Sequence, residues 1–364
     1  MSHPQFGRST ETLRVTSLAH GPHDIPHLRN FWYVAAFAKD LPRAKMKPLV
    51  LCDEPLLLMR SSEGKVSAMR NVCPHRGTPL HHGKFDGQNV QCHYHGWKFG
   101  TNGRCTSIPA LAGEQSHIGS RLCNKTYPCV EKQGLIWVFI GDRETPPEVP
   151  TVPGVGAIAP QVTCSLVYPL NGEHSAYSFF DPAHVAFVHR SPMIKRREHS
   201  LREKKKHFQP MHLGWQMARH PVPAENKFYK LFGRNATTEI HYQLPGSRTE
   251  FIQGEKHCAV SLATVAPISS DETVIQQALY WTFPYLWPLK GVLWWLVRHF
   301  LNEDRVYAHM QREGLAANRP FMLMGDADTQ IQWFQQLRKA WIESEASGVP
   351  FVNPLAPRTL HFWS

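Results

Sequence analysis

The stretch Asn71 to Gly100, NVCPHRGTPLHHGKFDGQNVQCHYHGWKFG, carries a compact set of metal-binding side chains. Cys73 and His75 stand in the spacing C-x-H, and seventeen residues beyond His75 come Cys92 and His95 in the spacing C-x-x-H. Thiolates and imidazoles in this ratio can hold one zinc ion. They can equally hold a two-iron, two-sulfur cluster with both cysteines on one iron and both histidines on the other. Zinc ribbons more often present C-x-x-C knuckles, whereas here each loop supplies one thiolate and one imidazole, which suits the mixed ligation of a cluster. Gly77, Gly83 and Gly96 let the backbone turn tightly and bring amide N–H groups toward sulfur.

A second chemical stretch is Asp181 to His189, DPAHVAFVH. Two histidines and a carboxylate can ligate a ferrous ion on one face and leave positions open on the other. His184 and His189 are five residues apart and would point well apart on an ideal helix, so one of them should sit at a helix break or end. Two histidines in an apolar run are by themselves more often satisfied core residues; the upstream Cys/His loops are what turn the reading toward metal.

CPHRG…CHYHGWKF together with DPAHVAFVH resembles the paired motifs of Rieske non-haem iron oxygenase α-subunits, in the branch with pheophorbide a oxygenase, from about Asn30 to Trp341. The resemblance implies that Cys73, His75, Cys92 and His95 bind a Rieske [2Fe-2S] cluster and that His184 and His189 bind a mononuclear Fe(II). It gives Asp181 a catalytic role, hydrogen-bonded to an iron-ligating histidine and, across a homotrimer interface, to His95 of the partner subunit. Many relatives have Asn three positions before that aspartate, where this chain has Ser178. The third iron ligand should be an acid on a C-terminal helix. Asp326 and Asp328 are the candidates in FMLMGDADTQIQWFQQLRKAW, and Phe334, six after Asp328, favours Asp328. Asp326 then suits a helix cap or dipole partner. Asn302 to Gln311, NEDRVYAHMQ, resembles a segment that precedes the ligand in these enzymes.

The activity so implied is that of a terminal oxygenase component with O2 as co-substrate. It would hydroxylate or oxidatively dealkylate a small organic, aromatic or polycyclic substrate, as a monooxygenase rather than a dioxygenase. Electrons would come from a separate NAD(P)H-dependent reductase or ferredoxin, since the chain shows no flavin or nicotinamide fingerprint and no second ferredoxin-type cysteine set. Substrate contacts are expected between Lys204 and Tyr285, where Trp215, Phe228, Tyr229, Phe232, Tyr280, Trp281, Phe283 and Tyr285 suit an aromatic guest or a core. Two readings compete: a Rieske-type electron-transfer protein without a working mononuclear iron, and a zinc-stabilised binding module.

The elements that must position these residues can be read from pattern and composition. At 364 residues, 42% hydrophobic and 11% aromatic, the chain is long enough for two cores. Residues 1–27 read as an arm, 28–145 as an all-β Rieske domain, 146–160 (Pro-rich) as a linker, and 161–364 as a catalytic domain. The expected class is α+β, the second domain being helix-grip-like, with an antiparallel sheet. Its helices are expected around His174 to His189 and, as a longer pair, from Gly291 to Glu345.

The charge of +11 includes Lys195-Arg196-Arg197 and Lys204-Lys205-Lys206. Such runs form solvated faces, or docking sites for an acidic electron carrier or an anionic substrate. No nucleic-acid motif accompanies them. Eight cysteines without a framework spacing, and an N-terminus lacking an apolar signal core, point to the cytoplasm. Ala278 to Leu301 is strongly apolar, but Pro284, Pro288 and Lys290 interrupt it, so it should not span a membrane. A core helix is the default expectation there, with a peripheral membrane contact as the alternative.

Overall fold

The computed structural model describes residues 25–112, 121–189, 201–222, 232, 235–317 and 321–364. Most of the expected arm, the run Lys195-Arg196-Arg197, and Phe228 and Tyr229 lie outside the described residues.

The first half is built of short strands: β1 (Phe31–Phe37), β2 (Lys45–Leu51), β3 (Glu54–Arg60), β4 (Val66–Arg70), β5 (Lys84–Phe85), β6 (Asn89–Gln91), β7 (Lys98–Gly100), β8 (Cys105–Ser107), β9 (Thr126–Tyr127), β10 (Cys129–Lys132) and β11 (Leu135–Ile140). They form three antiparallel sheets in the orders β1-β11-β10, β2-β3-β4-β9 and β5-β6-β7-β8. β11, LIWVFI, is buried along its whole length. Such a continuous apolar run marks a strand covered on both faces. Ile136, Val138 and Ile140 join Leu56, Leu58 and Ala68 in one core, while Leu135, Trp137 and Phe139 join Val260, Leu262 and Tyr280 of the second half in another.

The second half comprises β12 (Val162–Tyr168), α1 (Gly172–Phe180), α2 (Val185–Val188), β13 (Glu203–Met211), β14 (Gly214–Pro221), β15 (Thr237–Gln243), β16 (Ser247–Gln253), β17 (Cys258–Pro267), β18 (Thr273–Trp281), α3 (Lys290–Leu315), α4 (Thr329–Ser347) and β19 (Arg358–Trp363). Its strands make one eight-stranded sheet in the order β12-β18-β17-β16-β15-β14-β13-β19, and every pair is antiparallel. The two faces have different partners, as the two-residue side-chain period requires. Val260 and Leu262 of β17 and Tyr280 of β18 face the first half, and the Tyr280 hydroxyl donates to the Gln133 carbonyl at 3.1 Å. The opposite face carries the helices. There the Tyr168 hydroxyl donates to the Leu301 carbonyl of α3 at 2.6 Å. The Phe334 ring of α4 lies 4.7 Å from Phe180 of α1, and Trp333 lies 5.7 Å from Phe208.

The helix expected in one piece around His174 to His189 is in fact two. Asn171 caps α1 by accepting from the His174 N–H at 2.8 Å. The helix stops before Asp181-Pro182, because a residue preceding proline disfavours the helical region. α1 is fixed to α4 by a buried ion pair, Arg338 Nε to Glu173 Oε2 at 2.7 Å. The Pro-rich connection forms no strand or helix but is not free. Val152 and Val155 are buried, and the Gln133 side chain exchanges hydrogen bonds with the Val152 backbone.

Candidate metal centres

The two Cys/His loops are built alike. Cys73 N–H donates to the Thr78 carbonyl and Gly77 N–H to the Cys73 carbonyl, both at 2.9 Å. In the second loop Cys92 N–H donates to Trp97 at 2.8 Å and Gly96 N–H to Cys92 at 3.1 Å. Each loop thus closes on itself through a glycine four residues after its cysteine. Those glycines have φ of +75° and +71°, in the left-handed region where a side chain would be strained.

The closures bring the four candidate ligand side chains together in two pairs, thiol with thiol and imidazole with imidazole. The Cys73 and Cys92 thiols are buried and within hydrogen-bonding reach of each other, and burial is the main cause that pushes the Cys73 thiol up. The His75 and His95 rings are 4.6 Å apart, and Trp97 stacks on His75 at 4.5 Å. Nδ1 of His95 is buried without a hydrogen-bond partner among the described residues. A buried, orphaned ring nitrogen is costly unless something ligates it. Two thiols, two imidazoles and that orphan fit a cluster with mixed ligation.

The second site lies between α2 and α3. His184 is the N-cap and His189 the C-cap of the single turn α2, so both histidines sit at helix ends. Their ring centroids are 5.2 Å apart. Oδ1 of Asp304 stands 3.6 Å from Nε2 of His184 and 3.4 Å from Nε2 of His189. One ligand atom from each of the three residues falls within 4.8 Å of the others. Bonds of about 2.1 Å at right angles put neighbouring ligands about 3 Å apart, so a small inward movement would seat an ion.

The acid grouped with the two histidines differs from the one expected from sequence. Asp328, expected as the ligand, stands at the N-cap position of α4, and its carboxylate accepts the Met324 N–H at 2.7 Å. Asp326 pairs with Arg358 at 2.7 Å and accepts the His361 N–H at 2.8 Å. α4 is held by its packing on the sheet and on α1, whereas α3 passes directly beside α2 and delivers Asp304 to the histidines. Glu303 and Asp304, neither singled out from sequence as a ligand, stand beside the histidines instead. The signal was in the sequence: Leu301, Asp304 and Ala308 share the spacing of one helix face, and that face is the buried one. An aspartate on a core stripe needs a partner.

The surrounding groups set orientation and charge. Nδ1 of His189 lies 3.1 Å from Oε2 of Glu303, and its ring, fully buried, stacks on Phe300 at 3.7 Å. This contact leaves Nε2 of His189 facing Asp304 without a hydrogen bond. Oδ2 of Asp181 lies 3.6 Å from Nδ1 of His184, while its Oδ1 accepts the N–H groups of Ala183 at 2.7 Å and His184 at 3.3 Å. Burial pushes the Asp304 carboxyl up to about 7, with His184 opposing. Burial and the nearby His184 hold His189 down to about 4. Burial opposes protonation of His184, but Asp181 and Asp304 outweigh it and raise that group. The Nε2 atoms of two imidazoles beside a buried carboxylate are the donor set a divalent ion takes, His184 giving up its proton as the ion binds.

The sheet face under these helices is not uniformly apolar. Gln277 donates to Ser261 at 2.9 Å, Thr238 to Glu250 at 3.2 Å, and Arg248 to Glu250 at 2.9 Å. Lys206 Nζ meets His220 Nε2 at 3.0 Å. The strand register puts these residues on one face, in a polar row crossing β18 to β13. Of the aromatic residues expected to contact substrate, Trp215, Phe232, Tyr280, Trp281 and Phe283 are buried in the cores and Tyr285 is exposed.

Comparison with known proteins agrees with the first site. Residues 31–128 match the Rieske [2Fe-2S] domain family. The amino-terminal unit is a Rieske domain. A Rieske domain holds a [2Fe-2S] cluster, and the four ligand side chains here fit one. The chain is 35% identical over 177 residues to a chloroplastic chlorophyllide a oxygenase of Arabidopsis thaliana, a match covering 48% of this chain and 31% of that protein. It is 41% identical over 124 residues to a toluene-4-sulfonate monooxygenase system iron-sulfur subunit of Comamonas testosteroni, covering 34% of this chain and 35% of that one. The matches thus span about a third of each relative's length. The crystal structure of dicamba monooxygenase bound to dicamba superposes with a TM-score of 0.70 at 24% identity, over 88% of this chain and 98% of that one. The Rieske domain and the sheet-and-helix half together therefore share the fold of dicamba monooxygenase.

Proposed function

We propose that this chain is the terminal oxygenase component of a Rieske non-haem iron system and acts as a monooxygenase. The observation that carries this is the placement of His184, His189 and Asp304 around one point in a chain that also holds the Rieske ligands Cys73, His75, Cys92 and His95. An electron carrier has no use for a second, buried His/His/Asp set. The same set tells against the zinc-module reading, as do the names of the relatives.

When bound, the cluster supplies single electrons and the ferrous ion supplies the redox chemistry that activates dioxygen. The chain's own residues do the positioning. Glu303 accepts the Nδ1 proton of His189 and fixes the tautomer that offers Nε2 to the metal. Asp181 is placed to do the same for His184, its Oδ2 standing 3.6 Å from Nδ1, and the family resemblance gives it a second partner, His95 of the partner subunit, in a homotrimer. Asp304 brings negative charge, and Phe300 helps keep water from His189. Ser178, where relatives carry Asn, donates to the Ser175 carbonyl at 3.1 Å and so makes a bond within its own helix.

The substrate is a small organic molecule, aromatic or polycyclic, in the layer between the sheet and the helices. The polar row from Gln277 to Lys206 favours one that carries hydrogen-bonding groups. Electrons come from a separate reductase or ferredoxin. None of the described helices is long and apolar enough to cross a membrane. All eight cysteines are unpaired, which suits a reducing compartment, and we place the protein in the cytoplasm. The working division is a Rieske domain over residues 28–145, a connection over 146–160 and a catalytic domain over 161–364.

The test is a single turnover. Protein reduced with dithionite is mixed with ¹⁸O₂ and a panel of methylarenes, aryl methyl ethers and polycycles. Monooxygenation puts one labelled atom into a product, and His184→Ala abolishes it. Reoxidation at the same rate in parent and His184→Ala, with no labelled product from any compound, would mark an electron carrier.

A further inference from the structure

From Thr273 to Asn302 the chain contains no aspartate or glutamate, while Lys290, Arg298 and His299 lie within it. In the structure the later part of this stretch is a 3-10 helix, Pro284–Leu289, leading straight into α3. One side of it is core: Leu286, Leu293 and Val297 pack with Trp281 and Phe283. The other side should then be polar, as on most surface helices. Instead Trp287 is 51% exposed, Val292 58%, Trp294 43% and Trp295 53%. Tyr285 and Leu289 extend the patch. Lys290 Nζ sits 3.7 Å over the Trp287 ring, and the Arg298 guanidinium sits 5.7 Å from the Trp294 ring. A contiguous exposed apolar patch of this kind marks an interaction surface.

We propose that this segment is a membrane-surface contact that seats the protein on a bilayer containing anionic lipid. Indole rings with an apolar body and a polar N–H favour the headgroup boundary, and neighbouring Lys and Arg stems reach from there to phosphate. Charge complementarity selects the occupant. The segment has cations and no carboxylate of its own, and the whole chain is at +11, so a negative surface attracts it. A two-fold contact of the patch with itself would bring Lys290 and Arg298 against their own kind, and the head-to-tail contact of a trimer is what the sedimentation arm below tests. The contact lies on the surface, since none of the described helices can cross a membrane.

The placement has a functional corollary, which rests on the oxygenase reading above. α3 carries both the lipid contact and Asp304, and the nine helical steps from Trp295 to Asp304 amount to about 14 Å. A substrate dissolved in the bilayer would have a short path to the metal centre.

The experiment is flotation of the full-length protein with vesicles, together with tryptophan fluorescence. One set of vesicles is phosphatidylcholine alone, and the other contains about 30% phosphatidylglycerol. The variants are Trp287→Ser/Trp294→Ser/Trp295→Ser combined, and Lys290→Glu. All four side chains point away from the core, and circular dichroism checks that the variants stay folded. The parent should float with the anionic vesicles, with a blue-shifted emission that high salt reverses. The triple variant should lose roughly tenfold or more in partitioning, and Lys290→Glu should lose less. A parent that stays in solution, or a triple variant that floats equally well, overturns the proposal. So does a triple variant whose sedimentation shows a changed subunit number, because the patch would then be an interface between copies. None of these outcomes depends on oxygenase activity.

Discussion

Oε2 of Glu303 lies 3.1 Å from Nδ1 of His189, so one carboxylate of α3 orients the imidazole while the next residue, Asp304, faces its other nitrogen. Two consecutive acids thus hold opposite sides of one ring. Glu303→Gln should keep the shape but weaken the acceptor, and loss of such an outer partner typically lowers metal affinity by about 10- to 100-fold. Titration of the metal-free protein with ferrous ion checks this. Unchanged affinity would mean that Glu303 is incidental.

Asp181 touches His184 through Oδ2 and secures its own loop through Oδ1. Asp181→Asn should leave both metals bound yet slow electron passage between them by an order of magnitude or more. Single-turnover product formation from the pre-reduced protein reads this rate. Equal rate and yield in parent and variant would remove Asp181 from the path.

The buried pair Arg338–Glu173 ties α4 to α1, the helix that leads into Asp181. Arg338→Met would leave Glu173 buried without its cation, a change that costs about 3–5 kcal/mol. The thermal midpoint of the second half should fall by several degrees, and the cluster absorption should survive at temperatures below that transition. A midpoint within one degree of the parent's would show the pair to be dispensable.

His174 gives a pH dependence with a definite sign. It is buried in α1, its Nε2 has no hydrogen-bond partner among the described residues, and burial pushes it down to about 4. The unfolded chain binds this proton near 6.5 and the native protein only near 4, so stability is complete above 6.5 and falls as pH drops through that window. At pH 5 the loss from this group is about 2 kcal/mol. His174→Gln should therefore show a smaller drop in thermal midpoint than the parent between pH 7.5 and 5. Equal drops would contradict the assignment.

How much was legible follows from sequence distance. The cluster loops and the His184/His189 pair were readable because each is a local spacing, and the loop closures at Gly77 and Gly96 need only neighbouring residues. The third acid was not local: Asp304 lies over a hundred residues past His189 and reaches it only because α3 crosses α2. Counting from Phe334 chose Asp328, whereas the buried stripe Leu301, Asp304, Ala308 points to Asp304, the acid that the fold groups with the histidines. The break at Asp181-Pro182 was readable from the proline, although the helix was expected to run on to His189. β19 was not anticipated. Its pairing with β13 places Lys204 and Lys206 opposite Phe362 and Leu360 within a sheet, a setting that a basic run does not announce.

The mononuclear iron centre depends on Asp304. Iron and acid-labile sulfide should be counted in anaerobically purified parent, Asp304→Asn and Asp328→Asn, with EPR spectra after dithionite. The parent and Asp328→Asn should each hold about three irons and about two sulfides per chain, with a Rieske signal. Asp304→Asn should keep that signal and both sulfides and fall to about two irons. Retention of the third iron in Asp304→Asn, or its loss in Asp328→Asn, would contradict the site described above.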